Sequence, residues 1–165
     1  MLLYLMRHGI AIDREDPECP ADAERYLTKK GMEKTRTVAL GLRALGIHPE
    51  AMFTSPFVRA VQTAEITAAA FGFSRDKIRQ TESLIFGRKP VELFRELAKM
   101  RAKEVMCFGH APHLDEVIAL VLGCRGTVTS LKKAGVACLE LKAVAPPQGS
   151  LLWLCTPRTL RALCE

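Results

Sequence analysis

No stretch of this 165-residue sequence approaches the apolar length of a membrane span, and no two of its six cysteines fall into a C-x-x-C or other metal-ligand spacing. It also lacks internal repeats, low-complexity tracts and linkers. The first absence excludes a helical membrane protein. The apolar opening, Met1 to Met6, meets Arg7 and His8 too early to form a signal-peptide core, so a cytoplasmic protein without membrane contact is expected. The second absence removes zinc modules and redox motifs. It leaves Cys19, Cys107, Cys124, Cys138, Cys155 and Cys164 as free, mostly buried thiols of a reducing compartment. With 48% apolar residues, residues 1–165 are expected to form one domain. The net charge is +6, but 24 Lys and Arg are interleaved with 18 Asp and Glu, and Asp76 interrupts the densest basic stretch, Arg75 to Arg79. That is a solvated basic surface rather than a nucleic-acid footprint, and it suits an acidic, phosphorylated substrate.

What is present alternates between two periods. Leu2 to Met6 is a continuous apolar run, hence a short buried strand, and residues 11 to 26 carry prolines and mixed charge without a period, hence a loop. Thr28 is placed to cap a helix striped by Val38, Leu42 and Leu45 and stopped by Gly46. Residues 51 to 54 form a second strand, Pro56 starts a helix from about Phe57 to Ala70, and residues 78 to 81 form a weak third strand. A helix striped by Val91, Phe94, Leu97 and Ala98 follows Pro90, and residues 104 to 108 form another buried strand. Pro112 opens a helix with Leu114, Val117, Ile118, Val121 and Leu122 on one face. Strands over 136–141 and 151–155, joined by a turn rich in Pro146, Pro147 and Gly149, precede a short helix from Pro157 to Leu163. This alternation predicts a three-layer α/β/α sandwich with a mostly parallel central sheet and a late hairpin.

In such sheets ligands bind beyond the carboxyl ends of the strands. Three strands end there in Arg7-His8-Gly9, in Ser55-Pro56 with Arg59 one turn on, and in Gly109-His110. Two imidazoles and two guanidiniums on one rim fit a phosphoryl group. Arginine offers a planar fork of donors to phosphate oxygens, and a neutral imidazole attacks phosphorus. Gly9 and Gly109 are expected to let the backbone approach the anion. Ser55 is expected either to position Arg59 or the phosphate, or simply to cap the following helix. Ala111 and His113 are expected beside the substrate. A metal reading of His110, His113 and Asp115 is set aside, because Pro112 begins a helix between the histidines and no third ligand has a suitable spacing. His48 reads as an exposed residue capping a helix end.

Leu5-Met6-Arg7-His8-Gly9, Ser55-Pro56-x-x-Arg59-x-x-Gln62-Thr63-Ala64 and Gly109-His110-x-Pro112 resemble the three signature blocks of the histidine phosphatase superfamily, a phosphoglycerate mutase-like family. The length, with Arg25-x-Leu27-Thr28-x-x-Gly31 and Leu131-Lys132-Lys133-Ala134-Gly135-Val136, fits its small SixA-like branch. The resemblance implies that His8 accepts the phosphoryl group, that Arg7, Arg59 and His110 bind it and stabilise its charge, and that Gln62 and Thr63 support them. It implies neither cofactor nor metal.

The sequence departs from the family at one place. Larger relatives carry an acidic proton donor in a context that here falls at Leu84 to Gly87, where Ile85 and Phe86 stand instead. Glu82 is the nearest candidate acid, with a plain surface carboxylate as the alternative. A missing acid favours phosphohistidine on a protein, whose imidazole leaves more readily than an alkoxide. Two rivals remain. One is a phosphatase for a small phosphomonoester, and the other a non-catalytic phosphate- or nucleic-acid-binding module. A monomer or weak dimer with an open site is expected.

Overall fold

The computed structural model describes residues 1–164. Leu2–Arg7 (β1), Ala51–Thr54 (β2), Ile78–Gln80 (β3) and Glu104–Gly109 (β4) pair in parallel, and Val136–Val144 (β5) and Pro147–Cys155 (β6) add an antiparallel hairpin, giving the order β3-β2-β4-β1-β5-β6. Strand side chains alternate between faces, which divides the core in two. Tyr4, Met6, Met106 and Phe108 pack against Lys29–Ala44 (α1), Val58–Phe71 (α2) and Pro157–Arg161 (α5). Leu3, Leu5, Val105 and Cys107 pack against Val91–Leu97 (α3) and His113–Leu122 (α4). The three layers and the mostly parallel sheet match the sequence expectation.

Local differences have local causes. Thr28 caps α1 by accepting from the Gly31 amide at 3.0 Å, but the helix ends at Ala44, so Leu45 leaves the stripe and is 46% exposed while Ile47 takes the buried position. The closing hairpin is longer than its turn residues indicate. Pro147 and Gly149 belong to β6, an edge strand that tolerates a missing ladder donor. Gly149 fits there because a Cβ would lie 2.2 Å from the Glu140 carbonyl oxygen. All six cysteines are free, but only Cys107 and Cys138 are buried, and Cys124 and Cys164 are exposed. His48 is exposed, and its amide donates to Glu104 rather than capping α1.

Candidate active site

The carboxyl ends of β1, β2 and β4 meet because their backbones interlock beyond the ladder. The His8 amide donates to the Gly109 carbonyl at 3.0 Å, and the Ser55 amide donates to that of Phe108 at 2.9 Å. A cavity of about 660 Å³ opens at this rim, lined by Arg7, His8, Arg59, His110 and Ala111 together with residues of the loop after β1.

His8 is 7% exposed, and its Nδ1 lies 2.7 Å from the Gly9 carbonyl oxygen. A carbonyl only accepts, so Nδ1 carries the proton and Nε2 keeps its lone pair, toward which Arg59 Nε donates at 3.3 Å. Burial, reinforced by the charges of Arg59, Arg7 and Lys133, outweighs the hydrogen bond to Gly9 and lowers the His8 pKa to about 3. The ring is therefore a neutral base whose Nε2 carries a lone pair. Gly9, expected to let the backbone approach the anion, lies outside the cavity lining. Its amide donates to Thr63 Oγ1 at 3.0 Å, and a Cβ there would lie 2.5 Å from Thr35 Oγ1, so the glycine admits α1 against the rim.

Arg59 is 2% exposed and sits in the first turn of α2. Its Nη1 donates to the Asp22 carbonyl, its Nη2 pairs with the Asp22 carboxylate at 3.2 Å, and Thr63 ties down its backbone at 2.7 Å. The same carboxylate pairs with Arg14 at 3.2 Å and Arg25 at 3.1 Å. Arg7 donates from Nη1 to the Leu131 carbonyl at 2.8 Å, and its buried Nε has no partner among the described residues.

His110 completes the rim, its ring centroid 5.2 Å from that of His8. Ser55 is fully buried and serves His110 rather than Arg59 or a ligand. Its Oγ lies 2.9 Å from His110 Nε2 and accepts from the Phe57 amide at 3.4 Å. If the hydroxyl proton goes to Nε2, Nδ1 of His110 carries a proton. That atom is buried and unpartnered among the described residues, and so is ready to donate to an anion. Burial, with the neighbouring His8 and Arg59, lowers the His110 pKa to about 3. Phe57 and Phe86 pack edge-on against its ring at 5.2 and 5.8 Å.

Three expected contacts fall elsewhere. His113 is fully buried with Nε2 2.8 Å from the Ser83 carbonyl oxygen, so it anchors the segment after β3 instead of touching substrate. Glu82 lies outside the cavity lining, its side chain 70% exposed and paired with Arg88, whereas Phe86 lies in that lining. Gly109 makes room for Leu114 and the Leu84 carbonyl, not for an anion. Asp115 accepts from Thr129 and the Leu131 amide, and among the described residues no group of three His, Cys, Asp or Glu is placed to hold a metal ion.

Sequence reasoning missed Asp22, which holds Arg59, and the lining residues Asp13, Arg14 and Glu15, because the loop that bears them has no period. Arg25 and Lys133 also line the cavity, and the available signal was their presence in the fourth and fifth family-like blocks. Gln62 accepts from the Leu27 amide at 2.7 Å, which fastens the loop's far end to α2.

A six-stranded α/β/α sandwich with paired histidines and arginines at the strand ends defines a phosphoglycerate mutase-like protein. The solved SixA protein histidine phosphatase in complex with tungstate has this fold, with a TM-score of 0.85 at 22% identity over 97% of this chain and 99% of that one. So does a phosphoserine phosphatase mutant from Entamoeba histolytica in complex with phosphoserine, with a TM-score of 0.72 at 14% identity over 96% and 98%. An uncharacterized protein of Picosynechococcus sp. (strain PCC 7002) is 40% identical over 97% of this chain and 99% of its own length. The family model for the histidine phosphatase superfamily (branch 1) matches residues 3–85, and the chain belongs to that superfamily. No helix among the described residues is long and apolar enough to cross a membrane.

Proposed function

We propose that this protein is a phosphohydrolase that removes the phosphoryl group from phosphohistidine on a protein, through a covalent intermediate on His8 and without a metal or other cofactor. The observation that carries this reading is the unprotonated Nε2 of His8, facing a cavity edged by Arg7, Arg59 and His110. The Nε2 lone pair forms the new P–N bond as the substrate's P–N bond breaks, and the departing electron pair goes to the substrate imidazole. When the distal nitrogen of that imidazole is protonated, it leaves as a neutral ring and needs no acid from the enzyme. Water then displaces His8 from phosphorus and releases inorganic phosphate. Arg7 and Arg59 offset the charge on the transferring oxygens, and the Nδ1–H of His110 donates to one of them.

Phe86 in the lining supports a substrate whose leaving group departs unaided. The lining carboxylates, Asp13 and Glu15, are exposed, and they are what would favour the second reading, a small phosphomonoester phosphatase. The test is turnover of a histidine-phosphorylated carrier protein against an alkyl phosphate, with the wild type, His8→Ala, Asp13→Asn and Glu15→Gln. The carrier should react much faster, His8→Ala should be inactive yet still bind phosphate, and the carboxylate variants should be near wild type on the carrier. Equal rates on both substrates, or loss of both with either carboxylate, would establish a phosphomonoesterase instead.

A further inference from the structure

A second concavity of about 520 Å³ adjoins the catalytic one and shares Arg7 and Lys133 with it. Lys34 of α1, Lys132 ahead of β5, and Arg158 and Arg161 of α5 complete its charged wall, while Ile10, Ala134 and Pro157 supply apolar surface. Its lining contains no Asp or Glu. None of these four residues, nor Lys133, is in an ion pair among the described residues, in contrast to Arg14, Arg25 and Arg59, which all pair with the Asp22 carboxylate. The topology brings the cluster together. β6 ends with Cys155 opposite Val136, whose neighbour in β1 is Met6, so α5 begins at the carboxyl end of β1.

Six like charges around an apolar floor repel one another, and a partner with acidic and aliphatic side chains relieves that repulsion. We propose that this groove docks an acidic segment of the phosphorylated protein, flanking the phosphohistidine presented to His8. The proposal rests on the protein-phosphohistidine reading above. A small phosphorylated metabolite held by Arg7, Arg59 and His110 would leave the groove empty, whereas a protein entering that open cavity lays its surface across Lys34 and Arg158.

The charge-reversal variant Lys34→Glu/Arg158→Glu tests it. Both positions lie on helix surfaces, and glutamate suits the first turn of α5 better than arginine does. On phosphoramidate, a small substrate, the variant should stay within about twofold of wild type. On an acidic, histidine-phosphorylated carrier it should lose about tenfold or more in kcat/KM, mostly through KM, and the gap should narrow at roughly 0.5 M salt. Equal loss on both substrates, or no loss on the carrier, overturns the docking role.

A binding experiment separates this from failure of the substrate assignment. A peptide of about ten residues, mixing glutamate with leucine, is titrated into His8→Ala protein while backbone amide shifts are followed. Shifts at Lys34, Lys132, Arg158 and Arg161 that vanish on charge reversal support the groove whatever the substrate proves to be. Shifts confined to residues 75–79, or tighter binding of a DNA duplex than of the peptide, refute it.

Discussion

At the residue scale, the two rim histidines are held neutral against their ordinary tendency, and this has a cost that pH reveals. Burial lowers both from the usual 6.5 to about 3. Between those values the unfolded chain binds more protons than the folded one, so stability falls as pH drops from about 6.5 toward 3. Chemical unfolding at pH 7.5 and at pH 5 should show the weaker fold at pH 5, and the His8→Gln/His110→Gln double variant should lose much of that dependence. An unchanged dependence in the double variant would place the proton uptake elsewhere. Asp22 works through another residue. Burial alone would raise its carboxyl pKa, but hydrogen bonds from Arg25 and Arg59 outweigh burial and hold it low. It is therefore ionised and orients Arg59 on two atoms. Asp22→Asn should keep the bulk of the side chain but loosen that grip, lowering kcat about 10- to 100-fold with little change in thermal unfolding. Arg59→Ala should cost about 2 to 4 kcal/mol of transition-state stabilisation, and lysine should restore little of it, since a point charge cannot replace the fork. Full rescue by lysine would argue against direct contact with phosphate.

At the scale of elements, α1 is seated by glycine. A Cβ on Gly31 would lie 2.0 Å from the carbonyl oxygen of Ile10, and one on Gly41 would lie 2.0 Å from that of Leu160. Both obstacles are backbone and cannot rotate away. Gly31→Ala should therefore cost about 1 to 3 kcal/mol in denaturant unfolding and also reduce turnover, because the displaced segment is joined to His8 through Gly9. These contacts also show what could be read in advance. β1, β2 and β4 were legible because buried parallel strands are continuous apolar runs stopped by a polar rim residue, and the same rim held Arg7, His8 and His110. Arg59 followed from its place one turn into α2. The hairpin limits were not legible, since Pro146, Pro147 and Gly149 signal a turn wherever they stand and only the edge position of β6 makes two of them strand residues. Leu45 extended a stripe past the point where α1 stops. The contacts of Asp22, Ser55 and His113 were hidden for a different reason. Each depends on a partner 30 to 55 residues away, which no local period encodes.

At the scale of the whole molecule, the same distance in sequence governs how the site comes into being. The strand that bears His8 precedes both of its neighbours by about a hundred residues or more, for in the finished sheet it lies between β4, which starts at Glu104, and β5, which starts at Val136. Arg7 gains its carbonyl partner only from Leu131, and the amide of Arg7 donates to Gly135. A nascent chain that has already exposed Arg7, His8 and Gly9 therefore cannot assemble them until Leu131 and Gly135 have been made, and contacts this remote close slowly. Chains stopped after residue 130 carry every histidine and arginine of the motif blocks, but they should show no turnover and should lack the thermal transition of the full-length protein. Addition of a separate fragment spanning residues 131–165 should restore some activity if the late strands act by completing the sheet. His8 is thus made long before the strands that hold it in place.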